Sequence, residues 1–148
     1  MSIVVGQNSW VTLAEADTYF TDRIGTSSWF SLTDTPSTPG ADSKEGYLIT
    51  AFNILIGSPD VSLSPSLTDD NVKKAQMEFA LFLVQHYTEF DERSAAQSTG
   101  VSEFQYSKRK EKFDNPGDGV KLPYTVIGLL SLYSTANVIV NLKGQYDE

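Results

Sequence analysis

The segment EFQYSKRKEKF, residues 103–113, places Lys108, Arg109, Lys110 and Lys112 within five positions and surrounds them with Phe104, Tyr106 and Phe113. The chain as a whole carries a formal net charge of −8. Two chemistries use cations interleaved with aromatic rings. A protein interface takes the rings as apolar anchors and the cations as partners for carboxylates across the contact. A single-strand nucleic-acid binder stacks bases on the rings and tracks phosphates with the cations. The plainer reading is a solvated loop, because charge runs usually face water. The overall acidity opposes broad adhesion to nucleic acid or anionic membrane, so any contact with DNA must be local.

Catalytic chemistry is poorly supplied. With no cysteine there is no disulfide framework, thiolate nucleophile or thiolate zinc site. His86 is the sole histidine and lies in a helical stretch beside Tyr87, where a hydrogen-bonded structural role is favoured over that of a general base. No second imidazole exists to build a metal site. The stretch DNPGDG, residues 114–119, lacks the alternating acids and closing Glu of a calcium loop and reads as a turn. Gly117 and Gly119 have no strand and capped helix around them, so they form no phosphate loop. Asp69 with Asp70, and Asp91 with Glu92, fit helix ends and solvent better than acid–base work. No catalytic, cofactor or metal site is therefore expected, and the chain is not read as an enzyme.

The elements that must position the basic segment follow from periodicity and caps. TLAE, Thr12 to Glu15, is a capping box. It opens a helix with Leu13, Ala16, Phe20 and Ile24 on one face and Gly25 as a left-handed stop. Residues 26–43 read as a loop pinned by Trp29, packed on that first helix, and Phe30. DSKE, Asp42 to Glu45, repeats the capping signature before Tyr47, Leu48, Ala51, Phe52 and Leu55, with Gly57 and Pro59 as terminators. Thr68 or Asp69 caps the longest helix. Its faces carry Val72, Ala75, Phe79, Leu83 and Phe90 on one side and Met77, Leu81 and Val84 on another, the pattern of a central helix packed on several sides. It is expected to be the hub of the core, roughly 35 Å long, with Arg93 close to its end.

The helical period then stops. Residues 94–122 predict an extended arm or hairpin, Phe104 and Tyr106 alternating with polar neighbours as in a strand. A connection of that length inside a compact domain is usually functional or disordered. Pro123 opens a short helix with Ile127, Leu130 and Tyr133 or Ser134 on one face. Beyond it Val138, Ile139 and Val140 favour extended structure. At 148 residues the chain is one domain: a helical body over 12–92 and 123–134, an arm over 94–122 and a tail over 135–148. The fold class is mainly α, a small bundle of about four helices. No apolar run approaches the ~20 residues of a membrane span, and the N-terminus does not resemble a signal peptide, so a soluble, intracellularly made protein is expected. Residues 101–121 carry five Lys and Arg against four Asp and Glu, a net of +1, leaving −9 for the rest. Arm and body are electrostatically complementary, and a feature on one copy that fits a surface on the next can close into a ring.

NSWVTLAEADTYFTDRIGTSSW, residues 8–29, resembles the opening of tailed-bacteriophage head-to-tail connector proteins, or adaptors, a group sometimes labelled as DnaT-like single-stranded DNA-binding proteins. Trp10 stands where those usually have Tyr. The likeness continues through the helix at 44–56, AQMEFALFLVQHY and LPYTVIGLLSLYS, and so covers nearly the whole chain. The Trp-rich segment with a Pro-Arg pair that many relatives carry after the second helix is missing from GSPDVSLSPSLTDD, and the C-terminal extension is longer.

The resemblance implies a virion protein of the neck, made in the host cytoplasm. It implies a ring of about twelve copies beneath the portal that extends the DNA channel and docks the next tail or neck protein. Packaged double-stranded DNA would pass through the lumen without specific binding, and no cofactor or membrane is implied. The arm, with Phe104, Tyr106, Lys108, Arg109, Lys110, Lys112 and Phe113, is expected to meet a neighbouring subunit. The tail, with Val138, Ile139, Val140, Leu142 and Tyr146, is expected to reach the portal or a neighbour. The competing reading is a single-stranded DNA-binding protein that uses the aromatic and basic arm.

Overall fold

The structure, a computed structural model, describes residues 2–98, 103–106, 109–112 and 122–135. Thr12, in extended backbone, accepts from the Glu15 N–H at 3.1 Å, and the Glu15 carboxylate accepts from the Thr12 N–H at 3.0 Å. This reciprocal cap opens α1, Leu13–Thr21, with Ala16 and Phe20 buried. The helix ends earlier than its apolar spacing predicts. Ile24 lies past the last turn and is 94% exposed, so it is no part of the buried face. The Thr26 hydroxyl donates to the Phe20 carbonyl at 2.9 Å and turns the chain, and Gly25 adopts the left-handed conformation (φ 86°) within that turn.

A one-turn helix, α2, Ser27–Phe30, occupies the start of the stretch expected to be loop. Trp29 is the expected anchor. It is fully buried 4.7 Å from the Phe20 ring, and its indole N–H donates to Asp17 at 2.9 Å.

α3, Lys44–Gly57, is capped by Ser43 and not through a box on Asp42: the Ser43 hydroxyl accepts from the Gly46 N–H at 3.0 Å. One residue of offset puts Gly46 at the position that would have to reach back, and glycine has no side chain to do so. Lys44 is buried, with its ammonium 3.1 Å from Asp17 and 3.4 Å from Asp34 and the Phe30 ring centroid at 5.2 Å. It clasps the 31–43 loop to α1. Leu48, Ala51, Phe52 and Leu55 turn into the core.

α4, Asp70–Ser98, is the hub. Asp69 accepts from the Asn71 N–H at 3.0 Å at its start. Val72, Ala75, Phe79, Leu83 and Phe90 are all buried, as are Met77 and Leu81. Gln76 is buried among them and fully used: its carbonyl oxygen accepts from the Trp10 N–H, and its NH2 group donates to Ser9 Oγ and the Leu48 carbonyl, each at 2.9 Å. One side chain thus ties the N-terminal segment and α3 to α4.

Two expectations about α4 are corrected. It runs on through Ser98, so the arm starts later than residue 94, and it is not one straight rod. At His86 the backbone leaves helical geometry (φ −137°, ψ 20°). Eleven residues of straight helix would separate Phe79 from Phe90 by about 16 Å along the axis. Their ring centroids are 5.5 Å apart, and Phe82 and Phe90 are at 6.3 Å, so the chain bends sharply at His86 to keep Phe90 in the core.

Glu103–Tyr106 (β1) and Arg109–Lys112 (β2) pair antiparallel as a two-stranded ribbon. α5, Tyr124–Leu129, follows Pro123 and continues into a 3-10 turn, Ser131–Tyr133. The fully buried positions here are Val126 and Leu130, whereas Ile127 and Tyr133 are only partly covered, so the inward face is turned by about one residue from the expected one. The molecule is mainly helical, a small bundle around α4 with five α-helices among the described residues.

Candidate functional site

Of the two forms the sequence leaves open, extended arm or hairpin, the basic segment takes the hairpin over its described part. Register sets Glu103 opposite Lys112, Phe104 opposite Glu111, Gln105 opposite Lys110 and Tyr106 opposite Arg109. Because residues alternate across a strand, Phe104, Tyr106 and Arg109 share one face of the ribbon, and Lys110 and Lys112 belong to the other. The cations are thereby divided between two faces. Lys108, Phe113 and the tail positions Val138, Ile139, Val140, Leu142 and Tyr146 lie outside the described residues.

The root of the tail is firmly held. Val61 and Ser134 form an antiparallel bridge, with the Ser62 N–H donating to the Tyr133 carbonyl at 2.9 Å and the Thr135 N–H to the Asp60 carbonyl at 3.1 Å. The Thr135 hydroxyl donates to the Pro59 carbonyl at 3.2 Å. The Tyr133 hydroxyl donates to the Asp69 carboxylate at 3.0 Å, and that bond holds the phenol's pKa above its usual value. The last described stretch is therefore stitched to the 59–62 loop and to the start of α4. Leu122, at the other end of the arm, is buried in the core.

Both roots border one cavity of about 670 Å³. Val61, Phe82, Leu122 and Ile127 supply its apolar wall, and Asp60, His86, Glu89, Arg93 and Ser134 its polar groups. The bend in α4 places His86, Glu89 and Arg93 there. Tyr124 stands at the rim and is 95% exposed. The His86 Nδ1 lies 3.9 Å from Glu89, too far for the orienting hydrogen bond of a nucleophile–base pair. Among the described residues no three His, Asp or Glu side chains are grouped to hold a metal ion, and no helix is long and apolar enough to cross a membrane. The arrangement suits shape and charge recognition.

Sequence reasoning passes over this cavity. Asp60, Phe82 and Arg93 carry no motif and converge only because α4 bends. Tyr124 has a weak signal, an aromatic directly after a helix-opening proline. No protein-family profile, no characterised protein and no solved structure matches the chain.

Proposed function

We propose that the protein is a structural subunit of a bacteriophage head-to-tail connector, a helical body that assembles with its own kind into a ring under the portal. The ring extends the DNA channel and offers the next tail component a docking surface. The observation that supports this reading is the contrast between body and arm. The body closes its own core through Trp10, Trp29, Phe79 and Leu130. The arm's four-residue strands pair with each other and touch α4 alone of the body's helices by any but weak contact among the described residues, and so small a ribbon is marginal in water without a further surface. Ordering such a segment costs roughly 1–2 kcal/mol per backbone residue, which contacts with other subunits would offset.

In this reading Lys108, Arg109, Lys110 and Lys112 meet carboxylates of an adjacent subunit, and Phe104, Tyr106 and Phe113 give the apolar anchor. The tail bearing Val138, Ile139, Val140, Leu142 and Tyr146 engages the portal or a neighbour. The test replaces the four cations by Ser and follows assembly on the portal by native mass at several salt concentrations. Assembly should weaken, and lose its salt dependence, while helicity by circular dichroism is unchanged. Equal assembly of both forms at every ionic strength would remove the proposal's basis for the arm.

A further inference from the structure

The charge of the body is unevenly spent. Residues 2–98 and 122–135 carry thirteen carboxylates against five Lys and Arg. Arg23 is held by Glu78 at 2.7 Å, Lys44 by Asp17 at 3.1 Å and Lys73 by Glu15 at 3.3 Å. Beyond the bend, α4 carries Glu89, Asp91 and Glu92 against Arg93 alone, and its last turn has no basic residue to oppose the negative end of the helix dipole. Asp60 adds a further carboxylate from the facing loop. Of these carboxylates Asp60 and Glu89 line the cavity, beside His86 and Arg93. The one cation-rich stretch of the chain is the hairpin.

We propose that this cavity receives the basic hairpin of a second copy of the chain. The inference rests on the connector reading and names the surface that reading leaves open. A volume of about 670 Å³ with an apolar wall fits the side chains of a short ribbon. Tyr124, nearly fully exposed at the rim, is the kind of aromatic that becomes a contact hot spot when covered, and the described residues leave it uncovered. Asp60 and Glu89 then face Lys110 and Lys112. Because cavity and hairpin are different surfaces, the contact is heterologous and repeats from copy to copy, as a ring requires.

The test uses the full chain in two forms. A photo-cross-linking amino acid in place of Tyr124 should give a covalent dimer whose joined peptides map to residues 103–113. Charge reversal gives the second arm. Asp60→Lys with Glu89→Lys on one chain, and Lys110→Glu with Lys112→Glu on another, should each weaken self-association about tenfold, as two rim pairs at somewhat under 1 kcal/mol apiece imply. A mixture of the two variants offers both the native pairing and its charge-reversed counterpart, so association should recover with the two variants alternating from copy to copy. Circular dichroism checks that each variant folds. Absence of intermolecular cross-links, or cross-links mapping elsewhere, would overturn the proposal. If the protein still forms a ring on the portal, only this inference falls; if cross-links map to the hairpin and no ring forms, the connector reading falls alone.

Discussion

Replacing Gln76 by Leu tests how the body is held together. The amide is buried and makes three hydrogen bonds of 2.9 Å, to the Trp10 N–H, Ser9 Oγ and the Leu48 carbonyl. Leu approximates its volume, so packing changes little. Ser9 keeps its bonds to Val11, and the Leu48 carbonyl keeps its place within α3. The Trp10 N–H, however, is left buried without an acceptor, a loss of about 1–3 kcal/mol, and the other two bonds add roughly 1 kcal/mol more. The expected destabilisation is about 3 kcal/mol, or some 6–12 °C of Tm for a chain of this length. Urea unfolding followed by far-ultraviolet circular dichroism measures it, with the slope m unchanged. Gln76→Glu sharpens the test. One oxygen can still accept from Trp10 while the other confronts the Leu48 carbonyl, so the deficit should be large at neutral pH and shrink as acid protonates the new side chain. A loss below about 1 kcal/mol for Gln76→Leu, or a pH-independent loss for Gln76→Glu, would refute the account of this junction.

Tyr19 donates to Glu78 at 2.6 Å, and burial together with that bond pushes its pKa up to about 12. The folded state keeps a proton that the unfolded state releases near 10, so this contribution to stability is complete below pH ~10 and lost as pH rises toward 12; Tyr19→Phe should remove that slope from an alkaline stability profile. Glu15 has its pKa lowered, first by its bond to the Thr12 N–H, so its contribution is present at neutral pH and lost on acidification. Thr12→Ala should cost about 1 kcal/mol in thermal melts. Lys44→Met should free the 31–43 loop from Asp17 and Asp34 and make it the first site of limited proteolysis. Titration with a fluorescent oligonucleotide should show no salt-sensitive binding, and micromolar affinity that collapses with salt would favour the single-strand reading.

Much of the body was legible because its signals are local. The Thr12–Glu15 box, the Trp29 anchor, the Asp69 cap and the buried faces of α3 and α4 follow from residue type and spacing alone. The misses are tertiary. Ile24 has helical spacing, but the turn made by Thr26 ends α1 first. Nothing in the run FLVQHYTEF announces a bend, which exists because Phe90 packs back on Phe79 and Phe82. Gln76 sits between Ala75 and Met77 with no mark of its role, since its partners are about 30 and 66 positions away. The cavity was illegible for the same reason. It joins residue 60, the second half of α4 and the start of α5, and only the bend brings them together. Alternation at Phe104 and Tyr106 announced extended structure but left arm and hairpin open, and the pairing of the two strands needed the register.

The central claim is that the segments without helical period take their place on other protein copies. Native mass measurement of the wild-type protein mixed with a portal protein, the partner the proposal names, tests it most directly. The account predicts a stoichiometric ring of this protein on the portal, with the amides of residues 101–121 and 136–148 gaining protection from hydrogen exchange as it forms. A portal whose mass is unchanged, or a ring in which those amides exchange as they do in the free protein, would contradict it.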